Sequence, residues 1–128
     1  MLILSNILSI DYGERFVGIA IRTMKTTIPI PLKVIDTKKE ILNKNIQELI
    51  KEYEVNQIVI GYPIGLNYSE NRMTDLVNLF IQEISKFNIP IHKIDERLSS
   101  KLFDDGSKER IDDLSALEIL ESFIKQSD

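Results

Sequence analysis

The sequence predicts an α/β fold: a mixed sheet of five strands flanked by helices. Two observations predict it. Three short apolar runs come first, in hairpin-like succession, and segments with helical spacing then alternate with further apolar runs. The later runs are short and β-branched, the style of strands buried on both faces of a parallel sheet. Parallel strands of this kind are joined by right-handed crossovers.

The elements follow in order. Ile7 to Asp11 is the first strand, and Tyr12-Gly13-Glu14-Arg15 turns the chain. Gly13 suits a tight turn because it adopts positive φ without strain. Phe16 to Ile21 is the hairpin partner, and Gly18 within it suggests a bulge or a close backbone approach. Ile28 to Ile35 is a third strand, with Pro29 and Pro31 at its edge or start, because proline cannot donate to a ladder. From about Lys38 to Tyr53 the apolar spacing is helical, with Ile41, Leu42, Ile46, Leu49, Ile50 and Tyr53 on one face and Asp36 or Thr37 as the cap. The run QIVIGYP is a buried strand ended by glycine and proline. Ser69 to Phe87 is helical, with Leu76, Leu79, Phe80 and Ile84 on one side. Ile91 to Asp95 is the last strand, and Leu98 to Phe103 suits one or two helical turns. Ile111 to Lys125 is the closing helix, apolar at Leu114, Leu117, Ile119, Leu120 and Phe123.

Composition narrows the chemistry. The chain has 128 residues, 43% of them hydrophobic, which suits one compact domain over 1–128. It has no cysteine, so disulfides and thiolate metal sites are excluded. His92 is the single histidine, which argues against a histidine-rich zinc site or a Ser-His-Asp triad. Its position at a strand start favours a structural or exposed role. No apolar run approaches the ~20 residues of a membrane span. MLILSNILSI lacks a basic n-region and a small-residue cleavage site, so it is expected to be a strand of a cytoplasmic protein. The net charge of −4 argues mildly against nucleic acid. Acids that bind metal would weaken that objection, because bound cations invert the local field. The basic clusters are small: Lys38 with Lys39, then Lys101, then Lys108 with Arg110.

Three acids stand at places where chemistry can gather. Asp11 ends the first strand, Glu96 follows the last, and Asp112 opens the closing amphipathic segment. If the first and last strands are parallel neighbours, Asp11 and Glu96 emerge at one edge, beyond the strands' carboxyl ends. Open α/β sheets place their ligands there. Hard cations such as Mg²⁺ take oxygen donors of this kind. Each acid also has a plain structural use. Asp11 suits turn chemistry, Glu96 could pair with Arg97 or Lys101, and Asp112 could cap a helix. Asp113 is the obvious rival for the ligand role, but the role of a first-turn acid facing the helix dipole is the favoured one for it.

Four motifs carry a resemblance. IDYGERFVGIAI, IVIGYPIGLNYSENR, IDERLSS and IDDLSALEILESFI occur in the order found in the YqgF family, also called RuvX, of the RNase H-like superfamily. The likeness spans nearly the whole chain and implies an RNase H-like fold. It also implies a metal-dependent nuclease processing the 5′ end of precursor 16S ribosomal RNA, with Asp11, Glu96 and Asp112 at the family's catalytic positions. An older label for the family is Holliday junction resolvase, acting on branched DNA. One departure is clear. Lys101 to Ile111, KLFDDGSKERI, is shorter than the family's usual helix and basic loop, although it keeps Gly106, Lys108 and Arg110.

That chemistry sets the expected roles. Asp11, Glu96 and Asp112 would hold Mg²⁺ or Mn²⁺, as two ions about 3.5–4 Å apart clamping a phosphate. Arg15, Arg72, Arg97, Lys108 and Arg110 are candidate substrate contacts, because cationic side chains, and guanidinium forks above all, match phosphate oxygens. Gly61 and Pro63 would shape the loop at this edge. Asn67 and Ser69 would meet substrate or cap the next helix, and Tyr12 would stack on a base or pack on its own hairpin. The expected partner is nucleic acid, with precursor rRNA ahead of branched DNA, no membrane, and a monomer or weak homodimer. Two other classes remain open: a non-catalytic RNA-binding or ribosome-assembly module, and an actin-like ATPase, for which the chain is short.

Overall fold

The protein is described by a computed structural model over residues 5–62, 68–95 and 108–127. The strands are β1 (Ile7–Asp11), β2 (Phe16–Arg22), β3 (Ile30–Asp36), β4 (Gln57–Tyr62) and β5 (Ile91–Asp95). The helices are α1 (Leu42–Glu52), α2 (Tyr68–Ile84), which runs into a 3₁₀ turn at Ser85–Phe87, and α3 (Lys108–Ser127). The sheet order is β3-β2-β1-β4-β5. The β1-β2 and β2-β3 pairs are antiparallel, whereas β1-β4 and β4-β5 are parallel. This is the α/β fold with a mixed five-stranded sheet that the apolar runs predict. β1 and β5 are not neighbours, however; β4 lies between them.

Alternation along the strands builds two cores. Leu8, Ile10, Ile19, Ile58 and Ile60 pack on one face with Ile46 and Leu49 of α1 and Val77, Phe80 and Ile84 of α2. Ile7, Ala20, Val59 and Ile94 pack on the other with Ala116, Ile119, Leu120 and Phe123 of α3. Central strands covered on both faces have no solvent side to show, which is why β1 and β4 are mostly apolar and why β1's polar Ser9 is bonded to α3 instead of facing water.

Several boundaries differ from the predicted ones for physical reasons. α1 starts at Leu42, and Ile41 in the cap position makes no side-chain capping bond. Asp36 is engaged elsewhere: its Oδ1 accepts from the Lys38 amide at 3.0 Å, and its carbonyl accepts from Lys39 and Glu40. Those bonds form a turn that occupies the residues before the helix. α3 starts at Lys108, so Asp112 lies inside the helix rather than at its cap. The predicted irregularity near Gly18 falls one step along. Ile19 pairs with Lys33 and Ala20 with Pro31, which leaves Leu32 as the extra residue of a bulge beside an edge proline. Three residues assigned to apolar faces are exposed: Ile41, Leu79 and Leu114. The expected turns over Leu98 to Phe103 lie outside the described residues. None of the described helices is long and apolar enough to cross a membrane.

Candidate active site

The strand register decides what meets at the sheet edge. Ile10 pairs with Ile60 of β4, and Gly61 pairs with Ile94 of β5. Continuing that register puts Asp11, Gly61 and Ile94 on one level across three parallel strands. Their carboxyl ends therefore share one rim. Strands lie about 4.8 Å apart, so β1 and β5 are separated by roughly 10 Å with β4 between them. Glu96 immediately follows Asp95, the last residue of β5. Glu96 and Arg97 themselves lie outside the described residues.

Asp11 ends the middle strand and is 9% exposed. It shares its alternation with Ile7 and Ser9, whose side is covered by α3. Ile7 packs in the α3 cluster, and the Ser9 hydroxyl donates to the Ala116 carbonyl at 2.7 Å. That buried bond fixes α3 against β1 at one point. Asp112 lies one helical turn before Ala116, about 6 Å along the axis. Asp11 lies two residues beyond Ser9, between 6 and 7 Å along the strand, by the ordinary rise of roughly 3.3 Å. Both backbone positions are thus within a short step of the same contact. The side chains of Asp112, Asp113, Lys108 and Arg110 lie outside the described residues, although their backbone belongs to α3. Among the described residues no group of three potential metal ligands stands together.

Two of the predicted phosphate contacts are described, and both are held by carboxylates. Arg15 donates from Nε and Nη2 to Asp36, each at 3.4 Å, with its guanidinium 4.8 Å from the Phe16 ring centroid. Arg72, in α2, donates from both terminal nitrogens to Glu14, at 2.9 Å from Nη2 to Oε2. The Arg72 bond holds the Glu14 carboxyl below its usual range, and the Arg15 bond does the same for Asp36. Both arginines are well exposed, so each fork can exchange its partner for another anion. Glu14 and Asp36 are the carboxylate partners of these arginines, a pairing that sequence reasoning does not find; it reads Asp36 only as a helix cap. Their only signal was opposite charge.

The remaining candidates separate clearly. Tyr12 packs on Phe80 of α2, with ring centroids 4.9 Å apart, within the core cluster that also holds Leu8, Ile10, Val17 and Ile19 of its own hairpin. Burial, and then the charges of Glu14 and Glu83, push its hydroxyl pKa up. His92 is structural: its Nε2 is 3.0 Å from Gln57 Oε1 and its ring is 4.9 Å from that of Phe123. Lys38 and Lys39 are exposed. Gly61 is in β4, Pro63 and Asn67 lie outside the described residues, and Ser69 is in the first turn of α2.

The strand order, and a carboxylate at the end of the middle strand, define an α/β protein of RNase H-like architecture. Residues 5–126 match the family model described as RuvX, Holliday junction resolvase. The chain belongs to that family. It is 35% identical over 97 residues to a Rickettsia felis protein named "Putative pre-16S rRNA nuclease", a match covering 74% of this chain and 63% of the relative. An Orientia tsutsugamushi protein of the same name is 41% identical over 97 residues, covering 74% and 61%. The matched stretch therefore spans about six tenths of these relatives' length. A solved structure of Archaeoglobus fulgidus Pelota aligns over 96% of this chain and 35% of its own at 9% identity, with a TM-score of 0.41, too low to bear on function.

Proposed function

We propose that this chain forms one RNase H-like domain that hydrolyses phosphodiesters at the carboxyl edge of its sheet, with precursor 16S rRNA as substrate. The observation that carries this is Asp11, a nearly buried carboxylate at the end of the middle strand, on the face that α3 covers. Family membership and the names of the relatives support it. Asp11, Glu96 and Asp112 form an all-oxygen donor set, which suits Mg²⁺ or Mn²⁺ and gives a softer metal no preferred ligand. Bound as two ions, such a metal would neutralise charge at the scissile phosphate and acidify a bound water.

The chain's own residues do the rest. Asp11, anchored by β1, is the fixed donor, while Glu96 and Asp112 supply the others from the end of β5 and from α3. Arg15 and Arg72 hold phosphate oxygens once substrate displaces Asp36 and Glu14, since a guanidinium fork fits either anion. Arg97, Lys108 and Arg110 grip the backbone flanking the scissile bond. The protein acts in the cytoplasm as a monomer or weak homodimer.

The test compares wild type with Asp11→Asn on a precursor rRNA 5′ leader and on a four-way DNA junction, with Mg²⁺ or Mn²⁺. Loss of metal-dependent leader cleavage in the variant, with the circular dichroism spectrum retained, is expected. Full activity in Asp11→Asn would remove the basis for the assignment. The description of the family model favours a second reading, junction resolution, and preferential cutting of the junction would select it.

A further inference from the structure

A groove of about 370 Å³ opens on the face away from α3, between the turn after β1, the start of α1 and the middle of α2. Its floor is the Tyr12–Phe80 ring pair. Its lips are Ile41 and Leu79, which are 70% and 56% exposed. Ile41 occupies the helix-cap position where a small polar side chain is the usual choice, and it makes no capping bond. Large apolar side chains gathered at one opening mark an interaction surface more often than isolated exposed ones do.

The rim is acidic. Glu14 and Glu83 line it, and no lysine or arginine does so among the described residues. Arg72 offsets Glu14 from outside the groove, whereas the bonded partner of Glu83 is the uncharged Asn43 side chain. Among the described residues that line it, the groove offers a phosphate backbone no cation; Arg72 lies outside it. An apolar segment with cationic flanks would be complementary to both floor and rim.

We propose that this groove docks an amphipathic segment of a partner protein, one that presents two apolar side chains flanked by lysine or arginine. Tyr12 follows Asp11 directly, so the docked segment lies beside the acidic edge. A partner that carries nucleic acid would thereby bring it to the site. The docking itself is independent of whether that edge hydrolyses anything.

The experiment titrates isotopically labelled protein with a short synthetic Leu/Lys amphipathic peptide and follows amide signals. Shifts centred on Tyr12, Ile41 and Leu79 are expected, with binding weakened about tenfold or more by Leu79→Asp and unaffected by Leu114→Asp on α3. A Leu/Glu peptide of the same pattern should not bind. Four results would overturn the proposal. Two are peptide results: the Leu/Lys peptide shifts only other surfaces, or the Leu/Glu peptide binds equally well. A single-stranded RNA oligomer that shifts the groove amides would assign the groove to nucleic acid. A dimer abolished by Leu79→Asp would assign it to a second copy of this chain.

Discussion

Gly13 shows how one missing atom shapes the turn after Asp11. A Cβ built there would stand 2.4 Å from the Phe16 carbonyl oxygen, a backbone atom that cannot swing aside. The glycine is needed for this close approach; its φ is not in the left-handed region that the sequence suggested. Gly13→Ala should cost about 1–3 kcal/mol in urea unfolding, and a loss well under that range would mean that the turn relaxes freely. Glu14 and Asp36 give a pH prediction. Above their ordinary values of 4.5 and 3.8, the stability from their arginine bonds is fully present. As pH falls through their lowered folded values, the unfolded chain binds protons first and that stability is lost. Glu14→Gln and Asp36→Asn should each flatten the acid limb of melting temperature against pH, and an unchanged limb would deny the pairs any energetic role. The effect is small and screened by salt, because both pairs are exposed. The arginines were legible in the sequence and their partners were not. Those partners lie 21 and 58 residues away, and periodicity carries no information about which loops meet.

The elements were legible because their spacing is driven by burial. β1 and β4 are apolar at most positions since both of their faces are covered, and α1, α2 and α3 each place apolar side chains against the sheet. Helix starts were less legible. Asp36 resembles a cap, yet it serves a preceding turn and Arg15; Asp112 resembles a cap, yet it sits within α3. The element that matters most for the site is α3, which lies on the Asp11 face and is pinned there by the Ser9–Ala116 bond. Ile119 of α3 is fully buried, packed in the cluster with Ile7, Val59 and Ile94 of the sheet. Ile119→Ala should cost about 2–5 kcal/mol, whereas Leu114→Ala, at a residue 40% exposed, should cost well under about 1 kcal/mol. Denaturant unfolding of the two variants separates them. Equal losses would mean that α3 is not held by the packing described.

For the whole molecule, the decisive feature is that β1, β4 and β5 run in one direction and so end at one rim. The sequence could order the strands along the chain but not across the sheet, so β4's place between β1 and β5 was not legible. The net charge of −4 weighs less against a nucleic-acid partner if Asp11, Glu96 and Asp112 meet around cations, as proposed. Convergence of Asp11, Glu96 and Asp112 around those cations is the central claim. Titration with paramagnetic Mn²⁺ tests it most directly, by the broadening of backbone amide signals. The amides of residues 11, 96 and 112 should broaden together at the lowest metal concentrations, before those of Asp36 and Glu83, and Asp11→Asn should abolish the effect. Broadening that begins at other acids, or that leaves any of the three untouched, would contradict it.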